Sequence, residues 1–346
     1  MIIDCHSHHI CAPYNTNYLL WAKRTGHSDY GPAYLWNNPI FENIEKRLDV
    51  MRHNGIDYSV ITYSANIVQI VDSAVDKNHT HSQIVSDINQ KTHDIVLKYP
   101  SKIGATAWID LRLGDAALKE MENTSTWALG YSVLTAYRIN GKLKLLDDSE
   151  FIPFWEKAAK LKKPVFIHFS SLYSIKDKEC VMPGYMNDSM FHAGMEQLIE
   201  NTYCLSRLVM SGIFDKYPSL KVVMGQLGGM YPFMLDRFDM LYTMHLNGAL
   251  AKGMNVTDPK NEDSFMRNYK NYRDNIYVDT HSMSESAIRC ATEILGADKI
   301  LFGSDLPITP ASFGIEHAIN QIKSSKMSND IKENIFSNNA RRLLNI

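Results

Sequence analysis

Eight short apolar runs alternating with longer stretches of helical period predict an α/β fold: a single (β/α)8 barrel of the TIM type with long loops on its catalytic face. Two observations support that class. The runs are brief, often β-branched and bounded by turn residues, as strands buried in a parallel sheet are. The chain has 346 residues, 45% of them hydrophobic. That is enough apolar material for one large core, and barrels of this class reach such lengths as one unit. Residues 1–346 are therefore expected to form one domain.

The elements follow in chain order. Met1–Cys5 is the first candidate strand. Ile44–Asn54 is the first clear helix, stopped at Gly55, which suits a left-handed cap. Tyr58–Tyr63 reads as the second strand and Ser82–Tyr99 as the helix after it, ended by Pro100. Ile103–Ile109, Gly130–Leu134 and Pro164–His168 are the next strands, with the helix Phe151–Leu161 between the last two. Lys221–Gly225, Ile276–Asp279 and Lys299–Gly303 complete the eight, and Ser284–Leu295 is the helix between the final pair. Three stretches break the rhythm: Cys11–Ile40, rich in Tyr, Trp, Asn and Pro, then Ser170–Asp188, then Gly248–Asn271. Irregular stretches this long are usually functional or disordered, and barrel loops that follow strands lie on the catalytic face.

Composition excludes several function classes. Lys and Arg number 36 against 38 Asp and Glu, a net charge of −2, so the basic footprint of a nucleic-acid binder is missing. No run approaches the roughly 18 apolar residues of a membrane span. The five cysteines, Cys5, Cys11, Cys180, Cys204 and Cys290, show no CxxC spacing, and read as free thiols in a reducing compartment. The start, MIIDCHSHHI, lacks the pattern of a secretion signal. The expectation is a cytoplasmic protein with a small-molecule partner.

The residues that carry chemistry sit at strand ends. In His6-Ser7-His8 the two imidazoles point the same way from a strand and can reach one ion. His168 ends Pro-Val-Phe-Ile-His, and Asp305 follows Lys-Ile-Leu-Phe-Gly-Ser. Singly, each has an ordinary reading: a solvated pair, a buried histidine bonded to backbone, a helix cap. Four ligand-type residues at strand ends of one alternating chain are far better explained by a metal site at the barrel mouth.

These residues also carry a resemblance. Asp4-Cys5-His6-Ser7-His8, Pro164-Val165-Phe166-Ile167-His168, Gly212-Ile213-Phe214-Asp215-Lys216-Tyr217-Pro218, Leu227-Gly228-Gly229-Met230-Tyr231-Pro232-Phe233, Phe302-Gly303-Ser304-Asp305-Leu306-Pro307 and Asn339-Ala340-Arg341-Arg342-Leu343-Leu344 together resemble the amidohydrolase superfamily. The similarity is to the branch containing the aminocarboxymuconate-semialdehyde, γ-resorcylate and 5-carboxyvanillate decarboxylases, and it covers nearly the whole chain. It implies one divalent cation, zinc before manganese, held by His6, His8, His168 and Asp305, in a homodimer. It also implies that Arg47 binds a substrate carboxylate, for which a guanidinium is a two-pronged match, and that Arg237 reaches the neighbouring protomer's site. The ordinary readings of both arginines are solvated helix residues.

One position departs from the family. A histidine usually precedes the Leu-Gly-Gly turn, and here it is Gln226. Glutamine can orient a carbonyl or a water but cannot take a proton. Asp305 or His281, which follows Tyr277-Val278-Asp279-Thr280, is then expected to carry the proton. For His281 the competing reading is a loop histidine touching solvent. Losing the histidine harms hydrolysis more than non-oxidative decarboxylation, which needs no activated water. The expected activity is therefore that of a carbon–carbon lyase on a small aromatic or unsaturated carboxylic acid. A hydrolase of amides, lactones or related carbonyl compounds is the alternative, and a barrel that binds metal without catalysis is the third reading.

Overall fold

The computed structural model describes residues 1–24, 38–170, 192–246, 269–281, 283–309 and 314–346. Eight strands form the barrel. They are β1 (Ile3–His8), β2 (Tyr58–Thr62), β3 (Ile103–Ala105, continuing as Ala107–Trp108), β4 (Tyr131–Leu134), β5 (Val165–His168), β6 (Val222–Met224), β7 (Ile276–Asp279) and β8 (Ile300–Leu301). Each pairs in parallel with the next. The first half of β3 pairs with β2 and the second with β4, and Thr106 keeps the junction continuous by donating its N–H to the Ile61 carbonyl at 2.9 Å. The ring closes between β1 and the β8 end. Cys5 N–H donates to the Phe302 carbonyl at 2.8 Å, His8 N–H to the Leu306 carbonyl at 2.6 Å, and Ser7 bridges Leu306 in parallel. All eight predicted strands are present.

The predicted helices are also present, as Ile44–Asn54, His81–Lys98, Ile152–Leu161 and Glu285–Leu295. Gly55 caps the first in the left-handed conformation (φ 71°), where glycine carries no Cβ penalty. Thr80 and Gln83 form a reciprocal cap on the second. The irregular reading of Cys11–Ile40 needs correction, because Tyr14–Arg24 is a helix. Its buried positions, Asn15, Tyr18 and Ala22, do have helical spacing. Polar and small residues occupy them, so the apolar pattern was hidden. The antiparallel hairpin Ala136–Ile139 and Lys142–Leu145 was also missed. It turns at Asn140-Gly141, both at positive φ, the residue pair that such turns favour. Ser170 is described, but 171–191 and 247–268, which hold most of the other two irregular stretches, lie outside the described residues.

A slip in β1 positions the site. Asp4 pairs with Ser59, but Ser7 pairs with Ile61, so β1 spends three steps where β2 spends two. Such a bulge re-aims the side chains that follow it. Asp4 and Ser7 face outward, where Ser7 Oγ meets Ser59 Oγ at 2.8 Å. His6 joins Cys5 on the inner face, in a small cavity lined also by Thr62, Ser132, Phe166, His168, Val223 and Asp279. The inner cluster Ile3, Cys5, Val60, Phe166, Val223 and Leu301 packs on Ala340 and Leu344 of the last helix, Asn339–Leu344. The four described cysteines, Cys5, Cys11, Cys204 and Cys290, are free thiols. No helix among the described residues is long and apolar enough to cross a membrane.

Candidate metal centre

His6 and His8 leave β1 on the inner side of the bulge, and His168 is the last residue of β5. Their candidate ligand nitrogens all lie within 4.8 Å of one another. Asp305 follows β8 at a left-handed φ of 59°, which aspartate tolerates better than most residues, and its N–H donates to the His6 carbonyl at 2.7 Å. Its Oδ1 lies 2.9 Å from His8 Nε2 and 3.5 Å from His6 Nε2. The structure therefore brings all four predicted ligands to one place.

Whether these groups suit a cation depends on where their lone pairs point. His8 Nδ1 lies 3.2 Å from the Thr62 carbonyl and His168 Nδ1 lies 2.9 Å from the Phe169 carbonyl. A carbonyl only accepts, so each Nδ1 carries the proton and leaves Nε2 as a lone pair. His6 Nδ1 lies 2.7 Å from Asp279 Oδ2, an acceptor, so the proton that ring keeps when a cation takes Nε2 is the one on Nδ1. His6 Nε2 and His8 Nε2 are buried and make no hydrogen bond among the described residues. Asp305 Oδ1 faces His8 Nε2 at 2.9 Å as an ion-pair contact. Donor atoms set roughly 2.1 Å from one ion are about 3 Å apart, so the spacing fits. Three imidazoles and a carboxylate suit a borderline divalent cation, and buried lone pairs without partners are otherwise costly.

The electrostatics follow from burial and crowding. Burial alone would depress the His6 pKa, but Asp279 and Asp305 outweigh it and raise it to about 9. Burial lowers His8 and His281, and lowers His168 further with help from the charge on its neighbours. Burial would raise Asp305, yet His281, His8 and His6 hold it well below the ordinary carboxylate range. Asp305 is thus an anion. Its second oxygen, Oδ2, lies 3.3 Å from His281 Nε2. His281 is buried, which replaces the solvent-facing reading with a place beside Asp305.

Gln226 is buried after β6, but its side chain turns toward the helix Gln197–Met210. Its Oε1 accepts from Asn201 Nδ2 at 3.1 Å and its Nε2 donates to Gln197 Oε1 at 2.8 Å. Its backbone N–H donates to Asp279 Oδ1 at 3.1 Å. Arg47 is not the solvated helix residue of its ordinary reading. It is fully buried, and its Nη2 donates to the carbonyls of His8, very closely, and Leu306, at 3.5 Å. Its Nη2 lies against backbone at and beside the metal-ligand candidates, so it clasps the barrel seam. Arg237 is exposed on the helix Tyr231–Leu246, and no contact within one protomer brings it to the cluster among the described residues. Sequence reasoning missed Asp279. The signal was available, since Asp279 ends a barrel strand as His168 does.

With this geometry in place, comparison with known proteins is informative. The amidohydrolase family model matches residues 3–346.

The chain belongs to the amidohydrolase family.

Among its relatives, the γ-resorcylate decarboxylase of Polaromonas sp. is 23% identical, with 87% of each chain covered. The 2-amino-3-carboxymuconate-6-semialdehyde decarboxylase of Dictyostelium discoideum is 21% identical over 94% of this amidohydrolase and 85% of its own length. Among solved structures, the 5-carboxyvanillate decarboxylase of Novosphingobium aromaticivorans, complexed with manganese and 4-hydroxy-3-methoxy-5-nitrobenzoic acid, superposes with a TM-score of 0.76 at 20% identity. That match covers 100% of this chain and 96% of the other. The barrel of this amidohydrolase is therefore the barrel of that group.

Proposed function

We propose that this amidohydrolase is a metal-dependent, non-oxidative decarboxylase of a small aromatic or unsaturated carboxylic acid. The observation that carries this reading is the arrangement around Asp305. One of its oxygens faces His6 and His8, where a cation fits, and the other faces His281 at 3.3 Å. Relatives and neighbours named as decarboxylases of such acids support it.

His6, His8, His168 and Asp305 would hold one divalent cation. When bound, it supplies positive charge that grips the substrate carboxylate and an adjacent oxygen. A manganese-bound neighbour makes manganese as good a candidate as the zinc favoured by the sequence. The residues of the chain then handle the proton. Decarboxylation replaces a C–COO⁻ bond by a C–H bond, so one proton must reach the carbon that loses carbon dioxide. His281 and Asp305 are in hydrogen-bond range of each other and sit beside the cation seat, so a proton taken up from solvent is relayed through this pair to that carbon. Gln226 has no titratable proton to give, and its amide is held by Asn201 and Gln197. In the homodimer that belongs to this reading, Arg237 meets substrate only across the interface. The mass of the protein in solution checks that assembly.

A panel of hydroxybenzoates, set beside amides and lactones, tests the reaction class. The expected result is carbon dioxide and the decarboxylated arene, with no cleavage of amides or lactones. Amide or lactone cleavage without carbon dioxide would transfer the site to hydrolysis.

A further inference from the structure

Asp279 makes more contacts to the site than any role assigned above requires. It ends β7, is fully buried, and its two oxygens do different work. Oδ2 lies 2.7 Å from His6 Nδ1. Oδ1 accepts the backbone N–H of Gln226 at 3.1 Å and of His281 at 3.0 Å. One carboxylate thus holds a metal-ligand candidate and the backbone of the two other candidate functional residues. The surroundings are cut to fit this pair. A Cβ at Gly225 would lie 3.0 Å from His6 Cε1, and one at Gly303 would lie 2.8 Å from His6 Cβ and 3.0 Å from Asp279 Cγ. The backbones of β6 and β8 approach the pair more closely than any side chain allows.

We infer that Asp279 is a positioning residue that fixes the tautomer of His6, keeping the proton on Nδ1 so that the Nε2 lone pair faces the cation seat. This rests on the metal reading above and extends it to a residue outside the ligand set. A carboxylate accepts only, so it can sit opposite Nδ1–H and nothing else. The two backbone donors on Oδ1 prevent the carboxylate from rotating away. A carboxylate on the far nitrogen of a ligating histidine fixes the ring's orientation and raises its basicity.

Asp279→Asn has an unusual expected outcome. The amide oxygen must stay on the two backbone N–H groups, because the NH2 end would clash with them. That places the NH2 end against His6 Nδ1. Nδ1 must then accept, the ring proton moves to Nε2, and the lone pair that faced the cation is capped. A purely structural role predicts otherwise. It makes Asp279→Asn harmless, because the two backbone bonds survive, and Asp279→Ala harmful, because both are lost.

The test is metal affinity by competition with a chelator, together with urea unfolding of the metal-free proteins, for wild type, Asp279→Asn and Asp279→Ala. The tautomer role predicts that Asp279→Asn still folds yet loses about 10–100-fold in metal affinity. Asn affinity within about threefold of wild type would overturn it. Should Asp279→Asn not fold, ¹⁵N spectra of the zinc-loaded wild type, in which the His6 ring keeps a single proton, decide. A proton on His6 Nδ1 supports the role, and a bare Nδ1 overturns it. Failure of wild type to bind metal would instead sink the metal reading, so the two failures are distinguishable.

Discussion

At His6 a proton and a cation compete for one lone pair. Asp279 and Asp305 overcome the effect of burial and raise its pKa to about 9 in the metal-free protein. Binding a cation must expel the Nε2 proton. The sign is fixed: metal affinity rises with pH up to about 9 and levels off above it, with one proton released per ion from this ring. Calorimetric titration in buffers of different ionisation enthalpy measures that release, and an affinity that is flat from pH 7 to 9 would contradict the assignment. Arg47 provides a second test at the same scale. Its guanidinium donates to the carbonyls of His8 and Leu306. Arg47→Met takes this donor from the His8 carbonyl, while Leu306 keeps the His8 N–H; losing the partner of a buried group costs about 1–3 kcal/mol. The expected result is a lower urea midpoint. A raised KM at unchanged stability would return Arg47 to substrate binding.

The helices and strands were mostly legible, because a parallel strand buried on both faces is an apolar run and a barrel helix carries a stripe. The cap on Ile44–Asn54 shows how far that legibility reached. Gly55 sits at φ 71° with no atom within 4 Å of where a Cβ would lie. Gly55→Ala therefore pays only for backbone conformation, about 1–2 kcal/mol, read as a shift in the unfolding midpoint. No measurable loss would mean that the helix end relaxes. What escaped the sequence escaped for physical reasons. Tyr14–Arg24 buries Asn15 and Tyr18, so its inner face is not apolar. The first strand was bounded at Met1–Cys5, with His6-Ser7-His8 read as its end. The ladder continues to His8, through a bulge that no apolar pattern announces. The four ligand candidates were legible as residue types at strand ends. Asp279 was legible as an acid at a strand end, but its role was not, because that role lies in two backbone N–H groups and a ring from three different strand ends. The burial of Arg47 was equally hidden, since a helix arginine is ordinarily solvated.

On the scale of the molecule, the site exists only when the barrel is closed. His6 and His8 come from the first strand and Asp305 from the end of the last, joined by Asp305 N–H to the His6 carbonyl and by the Ser7–Leu306 bridge. The unfolded chain has no such site, so a bound ion stabilises the fold by mass action, about 2.7 kcal/mol at one hundred times its Kd. Calorimetry should show the melting temperature falling on chelation and recovering with added manganese or zinc. The central claim joins this site to a reaction, and one measurement reaches both: carbon dioxide released from a hydroxybenzoate by the metal-free and the reloaded protein. The account predicts one carbon dioxide per substrate consumed, abolished by chelation and restored by the cation. Release that persists in the stripped protein, or a fully loaded protein that releases none across the panel, would contradict it.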